Sequence, residues 1–161
     1  DVLGGKGANL SEMKRLGLPV PDGFTITTTA CIEYLKQGKS LSTEIKTELI
    51  DHLASFSERT GKIFSSDTNL LLVSVRSGAK ISMPGMMDTI LNLGLNDQRT
   101  RILAEQTNPE FAYNCYRRLL QMFADVVYGI SKELFDELLK DFEKGQKLTS
   151  EVTFSPQASF I

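Results

Sequence analysis

Apolar residues recur along this chain with two different periods. Leu10, Met13 and Leu16 are three apart, and Ile45, Leu49, Leu53 and Phe56 are four and three apart, the spacing of one helix face. The first set predicts a helix that begins at Ala8 or Asn9, after Gly4-Gly5-Lys6-Gly7, and stops at Gly17. The second predicts a helix from Ser42 to about Thr60. Leu18-Pro19-Val20-Pro21-Asp22-Gly23 reads as a loop that two prolines hold extended. Phe24 to Thr27 reads as a short strand, and Thr28 or Thr29 caps a helix to about Gln37, ended by Gly38. Leu70 to Val75 is apolar throughout except for Ser74, which predicts a strand covered on both faces, as in an α/β sheet. Thr89 to Leu93 is apolar again; strand and helix both fit, and helix is the reading taken.

From Asp97 the pattern is helical throughout. Asn108-Pro109 is a start signal, and Ala112, Tyr116, Leu119, Phe123, Val126, Val127 and Ile130 mark one long amphipathic helix. A second runs from Ser131 or Lys132 to Lys144, with Leu134, Phe135, Leu138, Leu139 and Phe142 inward and Gly145 as the stop. The expected class is α+β: a mixed α/β part over residues 1–96, a helical subdomain over 97–148 and an unassigned tail over 149–161.

Composition narrows the function classes. The 161 residues are 41% apolar, enough for one domain with a core or a domain and part of another. A net charge of -2 argues against a nucleic-acid partner, and no apolar run has the length of a membrane span. Cys31 and Cys115 lie far apart on apolar helix faces and read as reduced core residues of an intracellular protein. With one histidine they cannot form a structural zinc site. The chain begins at Asp1 and ends on Phe160-Ile161, and both ends read as cuts in something longer.

Three places could carry chemistry. Gly4-Gly5-Lys6-Gly7 would put free backbone N–H groups, a helix dipole and a mobile charge in one place, which suits a phosphate. A flexible turn with an exposed lysine fits as well, and the motif is not a P-loop, because Gly7 follows Lys6. Arg76 stands at the end of the apolar strand. If it is buried there it needs an anion: either phosphate oxygens, which its planar fork matches, or a structural carboxylate. Ser77 to Asp88 forms a loop with hydroxyls, glycines and Met83, Met86 and Met87, able to close over a ligand or simply to pack as a turn. His52 falls on or beside the apolar face of its helix and reads as structural and partly buried. No acidic cluster has metal-ligand spacing.

GGKGANLSEMKRLGLPVPDGFTITTTAC (Gly4 to Cys31), VSVRSGAKISMPGMMDTILNLGLND (Val73 to Asp97) and FAYNCYRRLLQMFADVVYG (Phe111 to Gly129) resemble, in that order, the N-terminal part of the pyruvate, phosphate dikinase family. The resemblance covers about residues 1–148. It implies part of an ATP-grasp nucleotide-binding domain in an enzyme that interconverts ATP, phosphate and pyruvate with AMP, pyrophosphate and phosphoenolpyruvate through a phosphohistidine. It further implies that Lys6 and Arg76 contact ATP and that Ser82, Gly85, Asp88 and Thr89 belong to a loop over its phosphates. The carboxylates for Mg2+, the catalytic histidine and the pyruvate site would lie outside this chain, so the chain alone is expected to have no dikinase activity. The parent would be a soluble homo-oligomer of the cytoplasm or an organelle such as a plastid. A phosphoenolpyruvate synthase-like enzyme is disfavoured by MPGMMDTILNLGLN (Met83 to Asn96), and a non-catalytic nucleotide-binding module is the remaining alternative.

Overall fold

The computed structural model describes residues 2–78 and 89–143. Six helices and four short strands follow one another: α1 (Gly4–Arg15), α2 (Thr28–Lys36), α3 (Thr43–Thr60), β1 (Ile63–Phe64), β2 (Leu70–Leu71), β3 (Val73–Arg76), β4 (Thr89–Leu93), α4 (Asp97–Gln106), α5 (Pro109–Tyr128) and α6 (Lys132–Glu143). The mixture of helices with small sheets is α+β.

Side-chain caps set most helix starts. Thr27, Ser42, Asn96 and Asn108 each accept a hydrogen bond from the backbone N–H three residues on. The stops at Gly17, Gly38, Gly61 and Gly129 all have positive φ. At α1 the closure is complete: Leu18 N–H donates to Met13 O and Gly17 N–H to Lys14 O, each at 3.0 Å.

The strands form two separate two-stranded sheets. β1 and β2 pair in parallel, and β3 and β4 pair antiparallel with Val75 opposite Ile90 and Arg76 opposite Thr89. This corrects two expectations. Residues 70–75 are not one strand covered on both faces: the run divides at Leu72, and Val75 is 48% exposed. Thr89–Leu93 is a strand, not a helix, because β3 supplies it with a ladder. Residues 24–27 form no strand either; they run into α2 without a ladder partner.

The core lies where β4 meets α5. Ile90, Leu95 and Leu119 are buried together, with Leu70, Leu72, Leu93, Leu103, Cys115, Tyr116 and Phe123 packed around them. Arg99, at the start of α4, braces this core from outside. Its guanidinium donates to Asp67 Oδ1 at 2.9 Å, to Gly94 O at 3.3 Å and to Ser65 O. Gln121 of α5 is buried and donates to Asp136 Oδ1 of α6 at 3.3 Å.

Elsewhere the predicted apolar faces are less covered. On α3, Phe56 is buried, while Ile45, Leu49 and Leu53 are half-buried. On α5, Val126 and Val127 turn outward, and on α6 so do Leu134 and Leu138. Cys31 is exposed rather than in a core. His52 is exposed too, and its ring stacks on Phe24.

Candidate nucleotide site

The glycine motif lies inside α1 rather than ahead of it. Gly4 is the first helical residue, so Lys6 falls in the first turn. Leu3 occupies the cap position without a side-chain hydrogen bond, and the first turn holds no acidic residue. Its N–H groups are therefore left for another acceptor. Gly4 and Gly7 are buried, and Lys6 is half-buried.

The fold brings this turn to the far end of β3. Gly4 has φ +66°, and a Cβ built on it would lie 3.7 Å from the carbonyl oxygen of Gly78. Gly78 is two residues past Arg76. Thr89 sits opposite Arg76 in the β3–β4 ladder and is half-buried. Two motifs some seventy residues apart in sequence thus meet through backbone, and glycine at position 4 provides both the positive φ and the close approach.

Arg76 is exposed, not buried as the apolar strand suggested. The reason is the thinness of the sheet: β3 pairs only with β4, and its last three residues face solvent. Among the described residues no carboxylate forms an ion pair with Arg76. The structural-carboxylate reading of this arginine therefore finds no partner among the described residues. Ser82, Gly85 and Asp88, with the three methionines of the loop, lie outside the described residues.

Among the described residues no group of three or more His, Cys, Asp or Glu is placed to hold a metal ion. They do not fit a resident Mg2+. His52 lies away from the motif, on α3 against Phe24. The Lys6 ammonium, the Arg76 fork and a helix start can bind and orient a polyphosphate and stabilise charge on it. They include no nucleophile.

The family described as Pyruvate phosphate dikinase, AMP/ATP-binding domain, matches residues 1–65. The pyruvate, phosphate dikinase of Clostridium symbiosum is 49% identical over 95% of this chain and 18% of its own length. That of Giardia intestinalis is 52% identical over 94% of the chain and 17% of its own. Over nearly its whole length this chain is similar to one part of the pyruvate, phosphate dikinases. The chloroplastic enzyme of Mesembryanthemum crystallinum is 51% identical, over 96% of this chain and 16% of its own length. That 96% reaches past residue 148, so the likeness extends further than the motifs alone indicated. The chain spans about a sixth of the length of the relatives it matches.

Among the described residues no helix is long and apolar enough to cross a membrane. Two features of the site carried no usable sequence signal. The contact between Gly4 and Gly78 joins distant segments, and the contact of Gly7 with Thr25 could be suspected only from the glycine at position 7.

Proposed function

We propose that this chain is the phosphate-gripping part of an ATP-grasp nucleotide-binding domain. The whole enzyme would interconvert ATP, phosphate and pyruvate with AMP, pyrophosphate and phosphoenolpyruvate. The observation that carries the reading is the approach of Gly4 to Gly78, which sets the first turn of α1, with Lys6, beside the end of the strand that bears Arg76. Lys6 acts as a point charge and Arg76 as a bidentate fork on phosphate oxygens, while the first-turn N–H groups complete the cradle. Thr89, and in the same loop Ser82, Gly85 and Asp88, would cover the phosphates.

Residues 1–96 and 97–148 would then be two parts of one nucleotide-binding unit, since β4 and α5 share a core. Phosphoryl transfer of this kind depends on positioning and charge more than on a protein nucleophile. The chain's role would be to hold ATP, with the histidine and pyruvate chemistry performed elsewhere in the polypeptide.

The test is Arg76→Ala in the full-length polypeptide. Loss of hydrogen bonds from a charged group should weaken ATP binding by about 1.5–3 kcal/mol. Exchange between pyruvate and phosphoenolpyruvate should persist. Equal loss in both measurements would assign Arg76 to folding instead and sink the reading.

A further inference from the structure

Thr25 has no part in the site as described so far, yet it touches it. Gly7 is buried, and a Cβ there would lie 3.1 Å from Thr25 Cγ2 and 3.4 Å from Thr25 Oγ1. The Cβ direction on a helix leans toward the N-terminus. Thr25 therefore stands beside the first turn of α1, the turn that bears Lys6.

The segment around Thr25 has no ladder or helix of its own, so its position comes from contacts on either side of it. Phe24 supplies the anchor. Its ring stacks on His52 with centroids 5.5 Å apart and planes 23° apart, and it meets Phe56 edge-on at 6.3 Å and 83°. Phe56 is the buried residue of α3, and the Arg59 guanidinium lies 5.9 Å from the centre of its ring. On the other side, the backbone N–H and the hydroxyl of Thr28 both donate to Val2 O, at 2.9 and 3.2 Å. Residues 24–28 thus form a strap from α3 to the entry of α1, and Thr25 is its point of contact with Gly7.

We propose that Phe24 is a positioning residue for the nucleotide site. Its clasp on His52 and Phe56 seats Thr25 against Gly7, and that contact sets where Lys6 and the first-turn N–H groups of α1 stand. The inference rests on reading the α1 start as part of an ATP site. It also gives position 7 a reason to be glycine, since a Cβ there would press on the Thr25 methyl group at 3.1 Å and on Leu3 Cβ at 3.3 Å, and one of them would have to shift.

The experiment is ATP binding by titration calorimetry, with thermal unfolding alongside, on the full-length polypeptide and its variants. Phe24→Ala should weaken ATP binding roughly tenfold, short of the ~100-fold that a full ångström of misplacement costs. Phe24→Tyr keeps the ring and should restore binding close to the starting value. Gly7→Ala should also weaken binding, and adding Thr25→Ser, which removes the methyl group at 3.1 Å, should recover part of the loss. A purely structural Phe24 would lower the unfolding temperature and leave ATP affinity of the folded protein unchanged, and that result would overturn the proposal. So would ATP binding by Gly7→Ala equal to that of the parent protein. If Phe24→Ala does not fold, the Gly7 pair decides alone. Arg76→Ala separates the two levels: unchanged ATP binding in that variant ends the ATP reading itself, whereas a loss there without any loss in Phe24→Ala and Gly7→Ala ends only the positioning role.

Discussion

α1 and α5 both carry an apolar stripe at helical spacing, and the fold treats them in opposite ways. On α5, Ala112 is fully buried and Leu119 is 6% exposed, because β4 and α4 pack against that face. On α1, Leu10 and Met13 are each 41% exposed and Leu16 is 66% exposed; only Gly4 and Gly7 are buried. α2 resembles α1, with Ile32 and Leu35 both exposed. Apolar spacing states which face needs cover. It does not state where the cover comes from. In the second half the cover follows in the same stretch of chain, and in the first half it is absent among the described residues.

The sharpest way to break this contrast is a matched pair of truncations. Leu119→Ala removes buried methyl groups from the β4–α5 core and should cost about 2–5 kcal/mol. Leu16→Ala, on the open face, should change stability by no more than about 0.5 kcal/mol. Urea unfolding of this chain measures both. If Leu16→Ala proves as costly in the full-length polypeptide as Leu119→Ala is here, then the α1 face is covered there and the two regions differ only in what surrounds them.

The same contrast explains what could be read in advance. α3 was legible over its whole length and α5 at its start, since Ser42 and Asn108-Pro109 are caps, but the apolar pattern carried α5 on to Ile130 whereas Gly129, in the left-handed region, ends it at Tyr128. α4 had a cap of the same kind in Asn96, ahead of Asp97 in the first turn, a signal that the pattern of apolar residues hides. Thr89–Leu93 was misread because so short a run, with Ile90, Leu91 and Leu93 as its apolar residues, fits either period, and only the pairing with β3 decides. Burial of Arg76 was misjudged for a related reason: an apolar run predicts cover on both faces, and here the sheet has two strands. At the candidate site, the motifs around Lys6 and Arg76 stood out in the sequence. The approach of Gly4 to Gly78 did not, because no local spacing encodes a contact across that separation.

A smaller effect should come from the brace on the closed region. Arg99 is only 18% exposed at its side chain, and it holds Asp67 and two backbone carbonyls. Arg99→Ala should therefore cost about 1–3 kcal/mol, more than an exposed ion pair. Lys14 with Asp22 gives the comparison, at 57% and 38% exposure. Breaking that exposed pair with Lys14→Ala should cost clearly less than Arg99→Ala does. Chemical unfolding at low and high salt checks both, and equal costs would mean that Arg99 has no special role in closing the core.

The smallest effect is one of pH, and it acts on the closed region alone. The Tyr116 hydroxyl donates to Asp97 Oδ1 at 2.7 Å, tying the middle of α5 to the first turn of α4. Burial, and then the Asp97 carboxylate, push the phenol up from 10.0 to about 12. Between those values the unfolded chain gives up the phenolic proton while the folded chain keeps it. The unfolded state then binds fewer protons, so stability falls as pH rises. The contribution is whole below pH 10 and is lost as the pH passes 12. Tyr116→Phe cannot titrate there, so its stability should fall less steeply than that of the parent chain through this window. Urea midpoints measured at successive pH values give the two slopes. Equal slopes would mean that the Tyr116–Asp97 tie contributes nothing to the closed core, whose stability would then rest on β4 and α5 packing alone.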